Sequence, residues 1–376
     1  MNEDDYNELE SSIFEVLDDC IHNHLEFNEN DIIESFYNDL IESRLFEGES
    51  AGDSIFEDID LREIIEECIY SYYEIFKPSP LEEKLNKLRE IHQPEQRTEE
   101  WYQYRHGLIT ASTVWKIFKS QASLNSIIYE KCLPYSSKQI FSNSMQWGQM
   151  FEPISIMLYE KRVSTKVEEF GCIVHPEYPF LGASPDGINT DPTSLKFGVM
   201  IEVKNIVNRF ITDKPKEEYW IQMQIQMEVC DLDKCDFIET RFKEYSDETE
   251  YKEGKHEEKG FILIGYNVND YTPHYHYPTI TNNDKEKWIQ EKIEENQYLF
   301  HKIIYWYLDE FSCLSIERNR EWFKNAILKI KETWDLICSE KINGYQHRKP
   351  KQRNSGKNIP HSDLFDEENA VKVIKL

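Results

Sequence analysis

The sequence predicts a mixed α/β (α+β) fold, with a central sheet flanked by helices and an acidic helical segment in front of it. Three observations support this. Apolar residues recur at helical spacing through the first 77 positions. Stretches of helical period then interleave with short apolar strands from about 81 to 335, and the chain beyond 341 turns basic and loses its periodicity.

In the first segment, three amphipathic helices are expected. Ile13, Val16, Leu17, Cys20 and Ile21 mark the first, Ile32, Ile33, Phe36, Leu40 and Ile41 the second, and Ile64, Ile65 and Ile69 the third. Asp31 and Asp53 or Ser54 suit N-caps, and "KPSP" at 77–80 breaks the pattern. The expected organisation is therefore an acidic helical extension over 1–80, a main domain over 81–340, and a basic, flexible tail over 341–376. Helices are expected at 81–92, 110–119, 144–162, 216–231, 283–308 and 317–338. Strands are expected at 170–174, 180–183, 197–206, 235–243 and 260–267.

Composition excludes some classes. With 39% hydrophobic residues and no apolar run near the roughly 18–20 needed for a membrane span, no membrane association is expected. The opening "MNEDDYNELE" lacks the basic and apolar regions of a secretory signal, so an intracellular protein is expected. Eight scattered cysteines fit neither a CxxC metal knuckle nor a disulfide framework, and are read as reduced thiols. The net charge of −28 looks hostile to nucleic acid, but residues 1–80 hold 24 Asp and Glu against three basic residues. That leaves only −7 for the rest, which can still present a basic groove.

The chemistry starts in "GASPDGINTDPTSLKFGVMIEVKNI". Alternation along a strand sends Val199, Ile201 and Val203 one way and Glu202 and Lys204 the other. An Asp-Gly turn signature before it allows a hairpin over 180–206 that brings Asp186 near Glu202. Clustered carboxylates repel unless a cation joins them, and hard oxygen ligands suit Mg²⁺ or Mn²⁺. Alone the pattern is weak, since a structural ion pair reads the same way.

Five stretches occur in order: "EQRTEEWYQYRHGLITAS" (95–112), "WGQMFEP" (147–153), "GASPDGI" (182–188), "IEVKN" (201–205) and "YWIQMQIQMEV" (219–229). Together they resemble the YqaJ-like viral recombinase family, which includes the lambda-type exonucleases, within the PD-(D/E)XK nuclease superfamily. The resemblance implies a restriction-endonuclease-like core. It assigns Glu152, Asp186 and Glu202, with the carbonyl of Val203, to metal binding, Lys204 to positioning or deprotonating the attacking water, and Gln222 to orienting water, phosphate or lysine. Arg105 and Ser112 match the family's pocket for a terminal 5′-phosphate.

The bland readings stand beside these. Glu152 could be a surface glutamate and Gln222 part of an exposed stripe; Ser112 could merely cap a helix while Arg105 pairs with a glutamate. Trp101 reads as core packing rather than base stacking, and "HYHYP" (274–278) offers two imidazoles with no third metal ligand.

The implied activity is a Mg²⁺-dependent deoxyribonuclease, with Mn²⁺ as substitute, degrading one strand of linear double-stranded DNA from the 5′ end and leaving 3′ overhangs for recombination or repair. A single-strand annealing protein as partner, a homotrimer, and a viral source with host cytoplasm or nucleus as location are implied by resemblance alone. Two alternatives stay open: an endonuclease of the same superfamily acting on DNA or RNA, and a weakly catalytic recruitment subunit.

Overall fold

The computed structural model describes residues 3–22, 32–38, 58–76, 79–136, 143–266, 273–278, 285–298 and 300–350. The chain divides into two units, Met1–Glu83 and Lys84–Leu376.

The first unit contains α1 (Glu3–His22), α2 (32–38) and α3 (Asp58–Phe76). Their apolar stripes meet in one core of Leu9, Ile13, Leu17, Ile32, Ile33, Ile65, Cys68, Ile69 and Tyr72. Val16, counted above with the buried stripe, is instead 40% exposed, because the 13/17 face alone is covered. The Tyr72 hydroxyl donates to Asp18 at 2.6 Å. The expected positions Asp31, Leu40, Ile41, Asp53 and Ser54, and the side chains of Cys20 and Ile21, lie outside the described residues.

Helix α4 (Pro80–Glu90) runs across the boundary between the two units, and in the second unit α5 (Glu99–His106), α6 (Ala111–Lys119), α7 (Gln121–Cys132) and α8 (Asn143–Val163) precede most of the sheet. Helices α9 (Glu217–Cys230), α10 (Glu248–Glu253), α11 (Lys285–Asn296) and α12 (Arg320–Asn343) alternate with the later strands. The strands are β1 (Ile109–Thr110), β2 (Val167–Glu168), β3 (Ile173–Val174), β4 (Leu181–Ala183), β5 (Gly187–Asn189), β6 (Met200–Asn205), β7 (Lys234–Glu244), β8 (Lys259–Tyr266), β9 (Pro273–His276) and β10 (Phe300–Glu317). Seven form a mixed sheet in the order β2-β5-β6-β7-β10-β8-β9, and β1-β4-β3 form a smaller one. Among the described residues, only β6 and β7 run parallel in the large sheet, Glu202 opposite Phe237 and Lys204 opposite Glu239.

Helix α8 is the beam under the sheet. Its Phe151, Ile154 and Leu158 pack with Phe242, Ile262, Ile304 and Trp306, while Tyr159 and Ile156 pack with Ile201, Val203 and Ile238. The apolar side of β6 is thus spent on α8, which leaves Glu202 and Lys204 on the other face. The buried Asp236 carboxylate is paired through one oxygen: its Oδ2 accepts from the Tyr159 hydroxyl at 2.8 Å and from the Lys196 ammonium at 2.6 Å.

Several expectations are corrected. The helix expected over 283–308 stops at Asn296, Gln297 adopts a left-handed φ of 52°, and residues 300–317 form β10. The apolar run of β10 is claimed by β7 and β8 on its two edges, so tertiary pairing overrides the helical reading. The strand expected at 170–174 shrinks to β3. Asp186-Gly187 is not the hairpin turn: Gly187 already belongs to β5, and the chain reverses between Thr190 and Val199. Glycine is needed there because a Cβ would lie 2.2 Å from the Val167 side chain on β2. Arg348, read as part of a flexible tail, bonds Glu340 at 2.6 Å and Asn125 at 2.6 Å; residues 351–376 lie outside the described residues.

The seven cysteines among the described residues are free thiols, five of them buried. No helix among the described residues is long and apolar enough to cross a membrane.

Candidate active site

A cleft of about 640 Å³ opens beside β6, walled by α5, the start of α6, the end of α7, α8 and α9. Glu152, Asp186, Glu202, Val203, Lys204, Gln222, Arg105 and Ser112 all line it, so the structure brings every sequence-expected residue into one concavity.

Glu202 lies at its floor, wholly buried. Strand geometry sets Lys204 beside it, and the Lys204 ammonium donates to Oε1. Gln222 Nε2 donates to the same oxygen at 2.7 Å, and Gln226 Nε2 donates to Oε2 at 2.7 Å. Both amides come from one face of α9, four residues apart, while Ile221, Met223 and Ile225 anchor that helix in the core. Asp186 is fixed from the backbone: its Oδ2 accepts the Val203 N–H at 2.7 Å.

Glu152 projects from α8 and takes the Arg97 guanidinium at 2.6 Å. Arg97 itself has a left-handed φ of 69°, a strained conformation for a side-chain-bearing residue. The two carboxylate-bearing elements are sewn together by Asn205. Its Oδ1 accepts from Ser155 at 2.8 Å and Thr240 at 2.7 Å, and its Nδ2 donates to the Gly148 carbonyl at 3.0 Å.

The charges are strongly interdependent. Burial, then the Glu202 and Glu152 carboxylates, push the Asp186 carboxyl well above its usual range. Burial likewise raises Glu152, with Arg97 pulling against it. For Lys204, burial lowers the ammonium's pKa, but Glu202 and Asp186 outweigh it and hold the group above the ordinary lysine value.

A few residues away, the Arg105 guanidinium donates to Ser184 Oγ at 3.0 Å and Ser112 Oγ at 3.2 Å, and it lies over the Trp101 ring at 4.2 Å. Thr110, not Ser112, is the N-cap of α6, and its side chain makes no capping bond. No carboxylate pairs with Arg105 among the described residues. Trp101, expected in the core, is half-buried in the cleft wall.

Sequence reasoning missed Arg97, Ser184, Asn205 and Lys131, and gave Gln226 no role. Gln226 had a signal, being one helical turn from Gln222 on the same face. Arg97 had none, because its contact with Glu152 bridges 55 positions through an unusual backbone angle.

Among the described residues, no three His, Cys, Asp or Glu side chains converge closely enough to ligate one ion as they stand. The donor set nevertheless suits a hard divalent cation. Three carboxylates of which one is destabilised by the other two, with Arg97 and Lys204 supplying countercharge, form a cluster that added positive charge would relieve.

Glu202 and Lys204 thus share one face of β6, with Asp186 from the loop before β5 and Glu152 from α8 in the same cleft as Arg105. Residues 100–233 match the model of the YqaJ-like viral recombinase domain. Over 303 residues the chain is 28% identical to an uncharacterized protein of Acanthamoeba polyphaga mimivirus, covering 68% of this chain and 54% of that one, so it spans about half the length of that relative. Among solved structures it is similar to an alkaline exonuclease from Laribacter hongkongensis (24% identity, TM-score 0.42, 65% of this chain and 94% of that one). The structure of LHK-Exo in complex with dAMP gives 22% and 0.40, with 65% and 94% covered. A phage related exonuclease from Haemophilus somnus gives 16% and 0.35, with 62% and 96% covered.

Proposed function

We propose that this chain is a PD-(D/E)XK-type deoxyribonuclease that removes nucleotides from the 5′ ends of linear duplex DNA, leaving 3′ overhangs. The observation that carries the reading is that the Glu202–Lys204 pair on β6, with Asp186 and Glu152 nearby, shares one cleft with Arg105, Ser112 and Ser184. Acids and a cation at a scissile phosphate make a hydrolase; an arginine fork on two hydroxyls beside a helix N-terminus makes a seat for a phosphate end.

Glu152, Asp186, Glu202 and the Val203 carbonyl would hold Mg²⁺, or Mn²⁺ in its place. The ion would offset phosphate charge and supply hydroxide near neutral pH. The chain's own part is positional. Gln222 and Gln226 hold both oxygens of Glu202, which fixes the Lys204 ammonium against Oε1; from there Lys204 donates to and orients the attacking water or the phosphate. Arg105, Ser112 and Ser184 seat the terminal phosphate. Water attacks phosphorus and the P–O3′ bond breaks, so a nucleotide leaves with a free 3′-hydroxyl. The shortened strand keeps a 5′-phosphate, which is the group the pocket seats in the next round.

The test is nucleotide release from linear duplexes with 5′-phosphate or 5′-hydroxyl ends, in Mg²⁺ and in EDTA, with Glu202→Ala as control. Metal-dependent release favouring the phosphate and lost in the variant is expected. Cleavage of closed circles or RNA would make the protein an endonuclease instead.

A further inference from the structure

Lys131, in the last turn of α7, is 96% buried by its relative exposure of 4%, lines the same cleft, and forms no ion pair among the described residues. Its Nζ donates to one acceptor, the Arg105 main-chain carbonyl at 2.9 Å. An ammonium offers three donors, and burying it without a carboxylate is costly. Arg105 beside it is also without a carboxylate partner among the described residues, and burial presses its guanidinium below the usual value. Two neighbouring cations that repel each other, Lys131 buried and Arg105 partly so, are an arrangement which an anion between them would stabilise.

We propose that Lys131 is the second cation of the Arg105 pocket, and that the pair selects a terminal phosphate monoester over an internal phosphodiester. The inference rests on the end-directed reading above and adds to it the basis of end selection. The charge count carries it. A monoester with a second pKa near 6 carries close to two negative charges at neutral pH, whereas a diester carries one. Arg105 alone balances a diester; Arg105 with Lys131 balances a monoester. The hydroxyls of Thr110, Ser112 and Thr113 line the same region and add donors without charge.

A purely structural role, capping the last carbonyls of α5, would use the same Arg105 contact, so the test needs a readout that capping does not move. Lys131 supplies one. Burial lowers it to about 8, with Glu130 opposing and Arg105, Lys116 and Lys341 assisting; His106 on α5 is the other titratable neighbour. Its positive charge therefore fades as pH climbs past about 8, well before that of an ordinary lysine.

The experiment is fluorescence anisotropy of a short blunt duplex, with 5′-phosphate or 5′-hydroxyl ends, bound to the full chain in EDTA. The wild type is expected to prefer the phosphate, and Lys131→Met to lose about tenfold or more of that preference. Between pH 7 and pH 9 the wild-type preference is expected to fall about tenfold, as the protonated fraction does. The pH series needs no variant, so a misfolded Lys131→Met leaves the test intact. A wild type indifferent to the phosphate overturns the end-directed reading itself. A preference that persists both in Lys131→Met and at pH 9 overturns the role of Lys131 alone.

Discussion

The Arg97 guanidinium donates to Oε1 of Glu152 at 2.6 Å, joining a strained loop to the middle of α8. Burial raises the Glu152 carboxyl, and Arg97 is the main group opposing that rise. Arg97→Gln is therefore expected to push Glu152 further up and shift the acid limb of the pH–rate profile to higher pH, with about a tenfold loss of rate at neutral pH. An acid limb that stays in place would mean that Glu152 does not titrate in turnover.

Gln226 is wholly buried, and it is the donor to Glu202 Oε2. Gln226→Leu is expected to strand that oxygen at a cost of about 1–3 kcal/mol, read by urea unfolding, and to slow hydrolysis at least about tenfold. Gln226→Glu should be worse in activity, because it sets a second carboxylate against Glu202. Equal rates in the two variants would show that Gln226 only fills space.

Asn205 ties β6 to α8 and β7 through Ser155, Thr240 and Gly148. Asn205→Ala is expected to lower stability by about 2 kcal/mol and to reduce hydrolysis even at temperatures where the variant stays folded, since Glu152 and Glu202 lose their common brace. Unchanged turnover by the folded variant would show that the brace serves stability alone.

Lys131 gives a stability prediction with an unusual sign. The folded amine loses its proton near about 8, while an unfolded lysine keeps it to the ordinary 10.5. The unfolded chain thus binds more protons in that window, and stability rises with pH across it. Lys131→Met is expected to stabilise the fold by about 3 kcal/mol at pH 7, with the gain vanishing toward pH 10.5; thermal melts at several pH values measure it. Destabilisation at pH 7 would mean that the bond to the Arg105 carbonyl outweighs the buried charge.

Local signals made part of this readable. Period-two alternation in "MIEVKN" separates Glu202 and Lys204 from Ile201 and Val203, and α8 and α9 announce themselves by length and spacing. What was not readable is non-local. The aromatic and β-branched run from Phe300 suits a helix or a strand until β7 and β8 are known to flank it. Arg97 acts through a partner 55 positions away and Asn205 through partners 35 to 57 positions away, and a charge with no carboxylate bonded to it, as at Lys131, becomes visible only once burial is known.

Among the described residues, β10 is the last strand of the sheet to be made, yet it lies between β7 and β8, and its Ile304 and Trp306 pack with Phe151, the neighbour of Glu152. A ribosome-bound chain that has already exposed Glu152, Asp186 and Glu202 still lacks the strand that closes the sheet under them. Nascent chains stalled before Phe300 are thus expected to be inert toward DNA and those extended past Asn343 competent, so that cutting waits for the strand that completes the floor of the cleft.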